Sequence, residues 1–126
     1  MRNTSMIDST IYLDSHKIIT ERRLTMSEDV FRDHFPLFPI LPGVLLLEMV
    51  TESISSFLDS NQYALIEEVY FEKIRFQNYA RPGDCIKAEI LLKKETKEEY
   101  VFVAGIKTDE KNVAKIKKIR ILKKER

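Results

Sequence analysis

Three prolines spaced at every third position, Pro36, Pro39 and Pro42, run straight into Gly43, and the fifteen residues that follow contain neither glycine nor proline. Prolines fix φ and push the residue before each of them into extended conformations, so residues 33–43 are expected to form a stiff, irregular path into the helix. Pro42 then suits a helix first turn, because it lacks only a donor the helix cannot use there. Residues 44–58 are rich in strong helix formers and predict one helix of about four turns. Its apolar residues cover most of the circumference, which predicts a helix buried on nearly all sides.

The rest of the chain alternates or runs apolar in short stretches separated by turn residues, the pattern of strands. Residues 7–13 and 18–24 flank the turn cluster Asp14-Ser15-His16-Lys17 and predict a hairpin. Strands are predicted over 64–71, 74–79, 86–92, 100–106 and 113–122, with turns at Arg81-Pro82-Gly83-Asp84 and Asp109-Glu110-Lys111-Asn112. The continuous apolar run at 100–106 predicts a strand buried on both faces. Strand, strand, helix, then about five strands makes an α+β fold in which a curled antiparallel sheet wraps one helix. At 126 residues the chain, 1–126, is expected to be a single domain.

Composition excludes several classes of function. The glycines, Gly43, Gly83 and Gly105, are scattered, and a phosphate-binding loop or a dinucleotide-binding turn needs them clustered. Cys85 is the sole cysteine, and the two histidines, His16 and His34, have no ligand partner three or four positions away, so no metal site is expected. No stretch approaches the roughly 18 apolar residues of a membrane span, and the expectation is a cytoplasmic protein. Net charge is +1, but residues 111–126 hold eight Lys or Arg against one acid, while the preceding residues balance to −6. Such a segment steers toward an acidic partner. Aromatics that could stack bases are not interleaved with residues 115–124, so nucleic acid is not the expected partner, and no membrane partner is expected either.

Two polar residues break the apolar pattern around the proline path. His34 is held at its start, and Glu48 lies fourteen positions later, one helical turn past the helix N-terminus and flanked by leucines. A carboxylic acid in an apolar setting holds its proton to higher pH and can act as a general acid. The spacing of Glu48, Glu52, Ser55 and Asp59 also fits an ordinary solvated stripe. The amides of Gly43 and Val44 at the helix start are candidates to bind a developing oxyanion, with no side chain on Gly43 to block a carbonyl.

Taken together, His34-Phe35-Pro36, Pro39-Ile40-Leu41-Pro42-Gly43-Val44-Leu45 and Glu48 resemble the active-site motif of the 3-hydroxyacyl-acyl-carrier-protein dehydratases, a hotdog-fold family. Arg75-Phe76 and Pro82-Gly83-Asp84 are similar to two further elements of that family. The resemblance implies a homodimer with sheets joined edge to edge and sites shared across the interface, His34 from one subunit and Glu48 from the other. It implies a 3-hydroxyacyl substrate on the phosphopantetheine arm of acyl carrier protein, with His34 as base, protonated Glu48 as acid and the Gly43 amide polarising the thioester. Phe35, Phe38, Leu41 and Phe76 are implied to line an acyl tunnel, and Lys117 and Lys118 suit docking of the carrier. No metal or bound cofactor is implied. Asp33, Leu37 and Glu52 stand where the family usually has glycine, glycine and glutamine. Two other functions remain open for the same residues: a thioesterase in which Glu48 activates water, and a non-catalytic module that binds acyl carriers.

Overall fold

The computed structural model describes residues 5–25, 41–61 and 66–123, without the side chains of Ile66 and Glu67. His34, Phe35, Phe38, Asp33 and Leu37 lie outside the described residues. The elements are β1 (Ser9–Leu13), β2 (Lys17–Arg23), α1 (Gly43–Ser60), β3 (Ile66–Phe76), β4 (Cys85–Glu95), β5 (Glu99–Lys107) and β6 (Asn112–Lys123). The strands pair antiparallel in the order β1-β2-β4-β5-β6-β3. The sheet's inner face packs on α1.

Helix α1 starts where the proline path predicts. Pro42 is its N-cap, in an extended conformation at φ −60° and ψ 143°, with no side-chain cap. Leu46, Met49, Val50, Ser53, Ile54, Phe57 and Leu58 are buried, the three-and-four spacing of a one-sided helix. Val44, Glu48, Ser55 and Asp59 are exposed on the opposite side. The expectation of a helix buried all round is therefore corrected: on this chain the sheet covers one side. At the other end the Asn61 side-chain amide donates to the Phe57 carbonyl at 3.0 Å and to the Asp14 carbonyl at 3.3 Å, tying the helix end to the β1–β2 turn.

The core is built from alternating strand residues, with Ile18, Ile86, Ile90, Phe102, Ile119 and Ile121 fully buried. Phe57 of the helix meets Phe102 edge to face, with ring centroids 5.6 Å apart. Strand β5 alternates buried and half-buried positions from Tyr100 to Ile106, so its apolar run does not mark burial on both faces. Val101, Val103 and Gly105 point to the outer face. Strand β1 is exposed along its length, although residues 7–13 alternate apolar and polar in sequence; Met6, just before it, supplies the buried contact instead.

The two strands predicted over 64–79 are one strand, β3, in which Lys73 has a left-handed φ of 58°. Pairing with β6 runs from Phe71↔Ile119 through Glu72↔Lys118 to Ile74↔Ile116, so the ladder keeps its register across the bend. The Pro82-Gly83 turn forms as expected. Gly83 has φ +97°, a conformation costly for other residues, and its N–H donates to the Leu24 carbonyl at 2.8 Å. Asp84 accepts from the Arg81 N–H at 2.9 Å, closing the turn.

Candidate active site

The start of α1 and the end of β3 meet at Gly43. A Cβ on Gly43 would lie 2.8 Å from Cζ of Phe76 and 3.0 Å from Cε1, so the ring occupies the space of a side chain. Openness toward an incoming carbonyl is therefore not what requires glycine in that direction; the requirement is close packing on Phe76. The Leu41 N–H donates to the Ala80 carbonyl at 2.7 Å, fastening the residues before the helix to the β3–β4 loop. The first helical turn is closed by the Leu45 N–H on the Pro42 carbonyl. Ahead of it, the amides of Gly43 and Val44 lack intrahelical acceptors, as at any helix start.

Two depressions flank this junction. A cleft of about 540 Å³ at the helix N-terminus is lined by residues including Leu41, Gly43, Phe76, Gln77, Arg81 and Lys111. Beside the exposed side of α1, a shallower groove of about 410 Å³ is lined by Val44, Leu47, Glu48, Thr51, Glu52 and Phe71. The structure thus brings Gly43, Val44 and Glu48 onto one end of one helix, with Val44 and Glu48 one turn apart. Of the two residues expected to line a tunnel that are described, Leu41 is buried and Phe76 is half-exposed, and both line the cleft.

The two carboxylates of the groove differ. Glu52 accepts the Met6 N–H at 2.8 Å through Oε1 and the Ser5 hydroxyl through Oε2. Arg22 donates to the Ser5 carbonyl at 2.8 Å, completing an anchor for the N-terminal segment. Glu48 has no hydrogen bond or ion pair among the described residues and stands over the apolar groove. Desolvation of Glu48, expected from its leucine neighbours, is not supplied by the described residues, among which its side chain is exposed.

Lys117 is exposed and Lys118 half-buried on β6, and the structure does not bring them to the groove. The basic C-terminal segment is partly neutralised within the sheet. Arg120 contacts Glu99 at 2.9 Å and Glu72 at 3.7 Å, and its guanidinium is held further toward the charged form, chiefly by the hydrogen bond to Glu99. Lys123 pairs with Glu95 at 2.7 Å. Lys115, Lys117 and Lys118 have no ion pair among the described residues.

Sequence reasoning missed Phe71, Leu47 and Thr51 as groove walls, Gln77, Arg81 and Lys111 in the cleft, and the structural use of Glu52. Glu52 carried one signal, its place in the helical stripe with Glu48. Nothing local marked its partner, forty-six residues away.

Comparison with solved structures defines the class. The chain superposes on the dehydratase heterocomplex ApeI:P from Xenorhabdus doucetiae with a TM-score of 0.74 at 21% identity, covering 96% of this chain and 100% of that one. A hypothetical thioesterase from Streptococcus pneumoniae with coenzyme A gives 0.69 at 11% identity, covering 94% and 87%. This is the hotdog fold. In sequence, the chain is 31% identical over 120 residues to the 3-hydroxyacyl-acyl-carrier-protein dehydratase FabZ of Thermotoga petrophila, covering 94% of this chain and 87% of the relative. The FabZ of Shewanella sediminis is 29% identical over 111 residues, covering 82% and 72%. The ApeI-like family, described as ApeI dehydratase, matches residues 10–117. The chain therefore belongs to the ApeI-like dehydratase family, and it is an enzyme of the lyase class. No helix among the described residues is long and apolar enough to cross a membrane.

Proposed function

We propose that the enzyme removes water from a 3-hydroxyacyl thioester carried on acyl carrier protein, giving the trans-2-enoyl thioester for fatty-acid or related lipid or polyketide synthesis. The observation that carries this assignment of roles is the difference between the two groove carboxylates. Glu52 is committed to Ser5 and Met6, while Glu48 faces an apolar groove beside the helix N-terminus with no partner among the described residues.

His34 takes the C2 proton of the substrate as base. The electron pair forms the C2–C3 double bond as the C3–O bond breaks, and the proton of the Glu48 carboxyl leaves with the hydroxyl as water. The Gly43 amide stabilises enolate character on the thioester oxygen during proton removal, where loss of one such donor costs about 3 kcal/mol. This chemistry calls on acid and base groups and on no resident metal or cofactor, and the acyl group arrives on its phosphopantetheine arm. Val44 and the Phe35 and Phe38 side chains serve the acyl chain, and Lys117 and Lys118 attract the carrier.

The working unit is a homodimer. Strand β3 ends the sheet order with one edge unpaired among the described residues, and Phe71 of that strand walls the Glu48 groove. A second copy joined along β3 covers Glu48, excludes water and supplies the desolvation that a protonated acid needs. The free thiol of Cys85 fits a reducing, cytoplasmic setting.

Incubation with a panel of 3-hydroxyacyl carriers, followed by mass spectrometry, tests the function. Loss of 18 Da, the mass of one water, is the expected product signature (about one water per turnover). His34→Ala and Glu48→Gln each lower turnover by roughly 100- to 10,000-fold. Release of free thiol identifies a thioesterase, and carrier binding without product identifies a non-catalytic module.

A further inference from the structure

The outer face of the sheet, away from α1, carries a third depression, of about 440 Å³, with Gly105 in its lining. Ile19, Glu89, Gly105 and Lys115 line it and pair in one row across β2, β4, β5 and β6, a row that continues to Arg75 on β3. Ala104 and Ile106 face the core, so the missing side chain of Gly105 leaves the hollow on the outside. An added Cβ there meets nothing within 4 Å, and Gly105 does not have a left-handed φ. Neither backbone conformation nor packing within this chain calls for glycine at this position. Ile11 and Ile19 give the depression an apolar side, and Lys87, Lys107 and Lys115 outnumber its one carboxylate, Glu89, which Lys17 neutralises at 3.4 Å.

The charges are distributed unevenly around it. At the far end of β6, Arg120 and Lys123 are matched by Glu72, Glu99 and Glu95. Lys107, Lys111, Lys115 and Arg75 have no ion pair among the described residues, and Lys87 meets only the exposed Asp109 at 3.8 Å. Unmatched like charges repel one another, and an acidic surface relieves that repulsion and is steered onto it. The depression also adjoins the cleft at the helix N-terminus. Gln77 lines both, and the neighbouring residues Lys111 and Asn112 line the cleft and the depression respectively. Two strand spacings of roughly 4.8 Å separate Gly105 from Arg75, and the next residue, Phe76, touches Gly43.

We infer that the Gly105 depression is the seat for the acidic carrier protein. An apolar side chain of the carrier enters over Gly105, its carboxylates meet Lys107 and Lys115, and its acyl arm passes over Gln77 into the Gly43 cleft. This rests on the proposal that the substrate is carrier-borne, and it moves the centre of docking from Lys117 and Lys118 toward the end of the sheet where the helix begins.

Gly105→Leu fills the depression, and Lys115→Glu reverses one of its lysine charges. Turnover is measured on one 3-hydroxyacyl group presented either on the carrier or as its N-acetylcysteamine thioester, and carrier binding is measured by fluorescence anisotropy. Each variant is expected to raise KM and Kd for the carrier at least tenfold at low salt, leaving kcat on carrier and kcat/KM on the small thioester within twofold. Equal losses on both substrates, unchanged carrier affinity, or a change of oligomeric state in sedimentation overturns the docking assignment. If the wild-type protein dehydrates neither substrate, the dehydratase chemistry fails, and the anisotropy comparison still decides the docking surface.

Discussion

The ring of Phe76 occupies the place of a side chain on Gly43, 2.8 Å from where its Cβ would be. Gly43→Ala must displace the ring, which is half-exposed and free to give on one side. The expected stability loss is about 1 kcal/mol, the low end for overpacking. Turnover falls further than stability, because the displaced ring enters the cleft at the helix N-terminus. Thermal denaturation with kinetics separates the two effects. Phe76→Leu in the Gly43→Ala background is expected to restore stability, and failure to do so removes the packing explanation.

Thr20 and Ser53 form a fully buried hydroxyl pair between β2 and α1, 2.8 Å apart. Ser53 donates its one proton to the Met49 carbonyl at 2.8 Å, so Thr20 is the donor to Ser53. Ser53→Ala strands that buried donor and is expected to cost about 1–3 kcal/mol. Thr20→Val removes donor and need together in a similar shape and costs less. Denaturant unfolding of both single variants and the double variant checks this, the double variant being more stable than Ser53→Ala alone.

Glu52 holds the N-terminal segment through Met6 and Ser5. Glu52→Ala is expected to raise hydrogen exchange at the Met6 amide by about tenfold or more, the equivalent of ~1.4 kcal/mol for a bond to a charged acceptor. Exchange in the core strands stays unchanged. Glu52→Gln keeps an acceptor for the amide and falls between the two.

Asp14 caps the β1–β2 turn, accepting the N–H groups of His16 and Lys17, each at 2.8 Å. Its carboxyl is held below the ordinary aspartate range, first by the Tyr12 hydroxyl at 2.6 Å and then by the His16 amide. A depressed folded-state pKa contributes stability that is complete above the ordinary aspartate value and is lost as pH falls through the lower one. The turn should therefore loosen only on acidification below about pH 4. Amide shifts of His16 and Lys17 followed by NMR against pH report it, and Asp14→Asn flattens the profile.

Local chemistry made much of the fold legible. The proline path into Gly43 marks the helix start, Pro82-Gly83-Asp84 marks a tight turn, and period-two alternation marks β1 and β4. The apolar run of β5 overstates its burial because Val101 and Val103 face outward on a side of the sheet that no described element covers. The split expected between residues 71 and 74 vanished because Lys73 absorbs the bend in its own backbone.

In the candidate site, the motif from His34 to Glu48 placed the acid and the helix start by spacing along one chain segment, since residues four apart on a helix share a side. Tertiary structure alone decided that Phe76 fills the space at Gly43, that Glu52 serves the N-terminal segment, and that Gly105 opens a hollow beside unmatched lysines. Each of these joins residues more than twenty positions apart or depends on what lies above the sheet. Propensity and periodicity act over a few residues, whereas which side chain fills a given space is settled only when the strands pair and the helix packs.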